Sequence, residues 1–203
     1  HWHSSAVLSM ASATDGYLVT GGKEAVAVLW NASRGSNQFL PRLGAPILHV
    51  SPNVEGNKWA LGLEDNSIQI VSSATFSVTC EIRGLVQTTP KILSVCPLDK
   101  GAVMVSGSTG ALQFYNPVAD KHDGSLRVTQ ENLISGLPEH KDRPIQHRKV
   151  QLVAKLGSSL LATFESQTDA GQGACLRIWK FSSKTVAFEQ VAVWDDPHGA
   201  KVQ

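Results

Sequence analysis

The sequence predicts an all-β fold of repeated four-stranded blades, and three observations lead there. Short apolar runs bounded by Gly, Asn, Asp and Ser recur along the chain, as strands separated by turns do. Four of these runs resemble one another, and each ends in a large apolar residue. No apolar pattern with the 3.6-residue helical period is sustained anywhere, which removes the α/β classes.

The four similar runs are 26–30 (VAVLW), 67–71 (SIQIV), 111–115 (ALQFY) and 175–179 (CLRIW). Three of the four are expected to alternate between inside and outside at period 2. A second strand precedes each, at 17–20, 59–62, 102–106 and 160–163. Tight polar turns join most of these pairs: 21–24 (GGKE), 64–66 (EDN) and 107–110 (GSTG). Gly and Asn in them are expected to supply the positive φ of hairpin turns. The fourth pair has a longer connection, 165–173. Earlier in each unit stands a third apolar run, at 6–8, 46–50, 91–95 and 150–153, and a looser outer strand follows, such as 79–82 or 188–193.

Trp30, Val71, Tyr115 and Trp179 mark the ends of the four similar runs, with steps of 41, 44 and 64 residues. The first two steps match a propeller blade of about 40–45 residues. An insertion over 116–148 accounts for the third. One such sheet is apolar on both faces and cannot bury both alone, so neighbours must stack around an axis. The fold is therefore read as about four β-propeller blades.

Composition agrees. Of 203 residues, 42% are hydrophobic and only 17% charged, which leaves ample apolar surface for burial. The net charge of +1 gives no global basic field, so any contact with nucleic acid must be local. Cys80, Cys96 and Cys175 are odd in number and widely spaced, without a C-x-x-C pair. That argues against a zinc site or a disulfide framework and fits a reducing compartment. No run approaches the 18 apolar residues of a membrane helix. The start, His1-Trp2-His3-Ser4, lacks an initiator Met and a signal-peptide core, so the chain is expected to be a fragment of a longer protein.

The first unit carries the most specific motif: His3, Val7, Asp15-Gly16, then 17–22 (YLVTGG) and 26–31 (VAVLWN). It resembles the WD40 repeat, with Trp-Asn where that family has Trp-Asp. The resemblance implies a structural hydrogen-bond network of His3, Thr20, Glu24 and Trp30, with Glu24 in place of the usual Asp. A buried acid holding an imidazole would satisfy two polar groups that are costly to bury alone. No metal or catalytic role is assigned to His3, even with His1 two residues away.

Further stretches narrow the resemblance: 40–47 (LPRLGAPI), 65–70 (DNSIQI), 84–86 (GLV), 110–115 (GALQFY), 160–163 (LLAT) and 176–179 (LRIW). In that order they resemble the Nan-type WD40 subunits of the UtpA complex of the small-subunit processome, over nearly the whole chain. This implies a nucleolar scaffold in ribosome biogenesis that acts in pre-18S rRNA processing and supports rDNA transcription. The partners implied are other UtpA and processome proteins, and the 5′ external transcribed spacer of pre-rRNA with the U3 snoRNP. A hetero-oligomeric complex, no membrane and no cofactor go with it. It also implies that 1–85 holds the last two blades of one propeller and 86–203 the first blades of a second, joined near 85–90.

The end of the insertion, 139–149, carries Lys141, Arg143, Arg148 and Lys149 against two acids. These four are candidate contacts for RNA phosphates or a partner's acidic face; the other reading is a solvated loop. No aromatics interleave with them, so base stacking is not indicated. No catalytic residue is assigned. Phosphate-loop and G-x-S-x-G motifs are absent, and Asp195-Asp196 has no partner His placed by the sequence. The alternative function is a WD40 adaptor that binds a short peptide in another nuclear or cytosolic complex. A more remote one is a propeller hydrolase.

Overall fold

The computed structural model describes residues 2–13, 16–53, 55–87, 92–95, 102–107, 110–129, 148–157, 159–167, 173–182 and 187–197. Its regular structure is sixteen strands in four sheets of four. The first sheet holds β1 (Val7–Ser12), β2 (Tyr17–Gly22), β3 (Ala27–Asn31) and β4 (Ser36–Phe39). The second holds β5 (Ile47–Pro52), β6 (Lys58–Leu63), β7 (Ile68–Ser72) and β8 (Ser77–Ile82). The third is made of β9 (Leu93–Val95), β10 (Val103–Ser106), β11 (Ala111–Asn116) and β12 (Lys121–Arg127). The fourth contains β13 (Lys149–Leu156), β14 (Leu160–Ser166), β15 (Cys175–Ser182) and β16 (Ala187–Asp195). In every sheet the spatial order follows the chain order. Each sheet is thus a meander, which short local turns can build.

The middle strands β3 and β7 are buried on both faces over most of their length. Ala27, Val28 and Leu29 of β3 are all buried, and so is every residue of β7 from Ile68 to Val71. In these two strands the expected alternation of inside and outside becomes an alternation between two buried faces, because neighbouring sheets pack on them within the first unit. Gln69 and Gln113 are enclosed by this, and both find partners. Gln69 Nε2 donates to Glu81 Oε1 at 2.8 Å, and Gln113 Nε2 donates to the Ser106 carbonyl at 3.0 Å.

In the first hairpin the positive φ falls on Ala25 (66°), while Gly21 and Gly22 are strand residues. Those two glycines answer a need for space instead. A Cβ on Gly21 would lie 2.5 Å from Ile47 Cγ2, and one on Gly22 would lie 2.3 Å from Glu24 Oε1. In the second hairpin Asn66 does take the left-handed conformation, with φ 68°. The inner strands β1, β5 and β13 each carry a register shift near the start, between Val7 and Ser9, Ile47 and His49, and Val150 and Leu152.

Packing divides the chain into two units. One comprises His1–Gln87, Leu93–Val105 and Phe114–Gly124; the other comprises Thr88–Ile92, Ser106–Gln113 and Ser125–Gln203. Within the first unit, Val19, Leu29, Ile47, Trp59, Leu61, Leu63 and Val71 form a buried cluster drawn from the first two sheets. Val50 N–H also donates to Ser9 Oγ at 3.0 Å, tying β5 to β1. A second cluster in this unit joins Ala60, Ile68, Ile70 and Ile82 to Val103 and Val105, with Leu85 packed against it. The sheets on either side of residues 85–90 therefore share a core.

Within the second unit, Leu161, Thr163, Glu165, Cys175 and Trp179 are buried on β14 and β15. Two strands lie where no apolar run marked them, β4 and β12. Residues 121–127, inside the expected insertion, form β12, whose Lys, His, Asp and Gly content hides an outer strand from pattern reading.

Candidate functional site

The first sheet gathers four side chains at its inner end. His3 stands just before β1, Thr20 is on β2, Glu24 is in the β2–β3 turn and Trp30 is on β3. The indole N–H of Trp30 donates to Thr20 Oγ1 at 2.9 Å. Thr20 Oγ1 also lies 2.7 Å from His3 Nε2, and His3 Nδ1 hydrogen-bonds Glu24 Oε1. One proton arrangement satisfies the chain with a neutral imidazole. Trp30 donates to Thr20, Thr20 donates to Nε2, and Nδ1–H donates to the carboxylate. Glu24 is one methylene longer than Asp and still reaches the ring, in the space left by the missing side chain of Gly22. Burial raises the Glu24 carboxyl. The bond from His3 and Glu24's own backbone N–H more than offset this, so it sits below its usual range. Each residue bonds to another of the four, although Glu24 Oε2 is buried without a hydrogen-bond partner, and the arrangement ties strands together.

The fourth sheet repeats part of this arrangement at residues for which the sequence predicted no such bond. Trp179 Nε1 donates to Thr163 Oγ1 at 2.9 Å, in a buried setting. Beside it Glu165 is fully buried and accepts from Arg177 Nε at 2.7 Å, while Arg177 Nη1 reaches Gln190 Oε1 at 2.7 Å. Burial pushes the Glu165 carboxyl up, and Arg177 offsets this only in part. No sequence signal pointed to this pair, because Glu165 reads as a loop residue before a long connection.

Lys141 and Arg143 lie outside the described residues. Arg148 Nη1 is 3.7 Å from Asp195 Oδ1, a loose pair with an exposed carboxylate. Lys149 is exposed at the start of β13. Of the Asp195-Asp196 pair, Asp195 thus faces a guanidinium.

A cavity of about 200 Å³ opens in the first unit among Ser51, Asn57, Ala60, Ile70, Val103 and Pro117. That is smaller than the ~300–1,000 Å³ of sites that enclose small-molecule ligands. Among the described residues no group of three or more His, Cys, Asp or Glu is placed to hold a metal ion. Burial raises the thiols of Cys80 and Cys175, away from the reactive thiolate.

Four-stranded meander sheets with the Trp-to-Thr tie define the class: the chain is a set of WD40-type propeller blades. A WD40 domain of Toxoplasma gondii coronin superposes with a TM-score of 0.68 over 93% of this chain and 45% of that one, at 13% sequence identity. In sequence the chain resembles WD repeat-containing protein 75 over its whole length. It is 32% identical to the Danio rerio protein over 210 residues, covering 100% of this chain, and 32% identical to the Homo sapiens protein, covering 93%. The chain spans about a quarter of these relatives, 24% and 22% of their lengths. U3 small nucleolar RNA-associated protein 17 of Schizosaccharomyces pombe is 35% identical over 42% of the chain and 11% of its own length. No family model matches the chain.

Proposed function

We propose that this chain is part of a scaffold subunit of the small-subunit processome. In that role it serves ribosome biogenesis, pre-18S rRNA processing and rDNA transcription in the nucleolus through contacts with other UtpA-type proteins. The observation that carries this reading is the end-to-end similarity to WD repeat-containing protein 75. The shorter matches add support, since their names place one with U3 small nucleolar RNA and another, NET1-associated nuclear protein 1, in the nucleus. A non-enzymatic role fits the side chains. Glu24 and Glu165 each engage a neighbouring side chain through Oε1, and burial raises both described thiols away from the reactive thiolate.

Contact with pre-rRNA or with an acidic partner is assigned to Lys141, Arg143, Arg148 and Lys149. The Arg148–Asp195 pair is loose and exposed, so it holds the guanidinium weakly.

The test is affinity capture of the tagged full-length protein that contains this chain, with the recovered RNA quantified. Enrichment of U3 small nucleolar RNA and of 5′ leader fragments is expected. Recovery of other complexes with neither RNA would refute the reading. Arg143→Glu with Lys149→Glu should lower RNA or partner retention, and the difference should shrink at raised salt. Unchanged retention at every salt concentration would return these residues to a solvated loop.

A further inference from the structure

We propose that a polar recess between the first two sheets binds the phosphate of a phosphoserine or phosphothreonine on a protein partner.

Register builds the recess. Tyr17 of β2 lies opposite Asn31 of β3, Asn31 opposite Ser36 of β4, and Leu29 opposite Gln38. Residues directly opposite one another, or two apart on one strand, share a face of the sheet. This is the face of Val19 and Leu29, which cluster with Trp59 and Val71 of the second sheet, and Tyr17 packs against the same cluster. Where β2 begins and β3 ends, a space of about 130 Å³ remains between the two sheets. Tyr17, Asn31, Ser36 and Gln38 line it from the first sheet, and Ser73 lines it from the β7–β8 turn. Arg34, exposed in the β3–β4 turn, adds a cation.

The polar lining is rich in donors. Three hydroxyls, two side-chain amides and a guanidinium all carry O–H or N–H groups. Asn31 Oδ1 already accepts the backbone N–H of Arg34 at 3.0 Å, which fixes the turn and leaves the NH2 of Asn31 for a ligand. Among the described residues no other hydrogen bond or ion pair engages these six side chains, and no Asp or Glu lines the space. Water serves such part-exposed donors, and an anion replaces that water without leaving any of them unpaired.

Size and charge decide the anion. The space is well below the ~300–1,000 Å³ that encloses a whole small-molecule ligand, so it takes one functional group rather than a nucleotide. A phosphoserine ends in three free oxygens with about two negative charges near neutral pH, which a recess accepts end-on and a guanidinium grips with two bonds. An RNA phosphodiester has chain on both sides, and strands of them are held by several cations along an open groove. One Arg matches one phosphate. A carboxylate brings a single charge and two oxygens to the same set of donors.

The experiment follows the fluorescence anisotropy of a labelled Gly-Ser peptide with one central phosphoserine, titrated with the full-length protein that contains this chain. Saturable binding is expected, with displacement by free phosphoserine. The unphosphorylated peptide and the peptide with Glu in place of phosphoserine should bind about tenfold more weakly or worse. The phosphopeptide should lose about as much on Arg34→Gln or Asn31→Asp. Asn31→Asp keeps the acceptor for the Arg34 N–H and sets a negative charge in the recess, so it reads charge preference rather than shape. If that variant fails to fold, Arg34→Gln at an exposed turn still decides. No saturable binding at millimolar peptide, or binding that ignores phosphorylation or Arg34→Gln, would overturn the proposal. So would single-stranded RNA without terminal phosphates that binds more tightly than the phosphopeptide and weakens with Arg34→Gln, because the ligand would then be a phosphodiester.

Discussion

Trp179 meets Thr163 with the same bond, 2.9 Å long, that Trp30 makes to Thr20, although the two pairs are separated by 16 and 10 residues in the chain. Register explains the match. Leu18 is opposite Trp30 and Leu161 is opposite Trp179, and in both sheets the Thr lies two residues beyond that Leu, on the same face. The pair is a diagonal cross-strand contact, within reach of a large aromatic side chain. Replacing Thr163 with Val should destabilise the chain by about 1–3 kcal/mol in urea unfolding, because a buried indole N–H loses its acceptor. A change within the error of the measurement would mean that the bond contributes nothing net.

The second sheet inverts the pair. Trp59 lies on β6 opposite Val71 on β7, and Leu61 stands where the Thr would be. Trp59 Nε1 is buried without a partner. Trp59→Phe should therefore cost about 1 kcal/mol less than Trp179→Phe, since only the latter breaks a hydrogen bond. Equal costs would show that volume loss alone governs both.

Arg177 is the counter-charge of a fully buried carboxylate, so Arg177→Met should destabilise by about 3–5 kcal/mol. Adding Glu165→Leu to that variant should recover most of the loss, because the unpaired charge is then gone. No recovery would place the effect in packing instead.

The Glu24 carboxyl is held below its ordinary value of 4.5 in the folded chain. A depressed carboxyl contributes stability that is complete above the unfolded value and lost as pH falls through the folded one. The stability difference between the chain and Glu24→Gln should thus be largest near neutral pH and shrink below about pH 4.5. A difference independent of pH between neutral and pH 3 would separate Glu24 from the imidazole tie.

The cluster shared by Ile68, Ile70, Ile82, Val103 and Val105 should make the second sheet and β10 unfold together. Val105→Ala should lower the exchange protection of β7 as well as β10. Loss confined to β10 would instead suit a junction between two propellers at 85–90.

Much of the fold was legible because strands and turns are local. The runs ending at Trp30, Val71, Tyr115 and Trp179 became β3, β7, β11 and β15, and Asn66 took the positive φ that its type permits. β12 was hidden because an outer strand needs no apolar run when solvent covers one side. Gly21 and Gly22 were read as turn residues, whereas they end β2 and their need is for space, beside Ile47 of the next sheet and beside Glu24 of the turn.

By itself the sequence determined that the chain makes blades, how many, and which protein family they resemble. Those features are written in spacing and residue type along one dimension. Only the tertiary structure decided that Trp179 reaches Thr163 and that Glu165 is sealed against Arg177. Pairing across hairpins of unequal length and burial between sheets depend on hydrogen-bond register and on neighbours, and neither is a property of any segment taken alone.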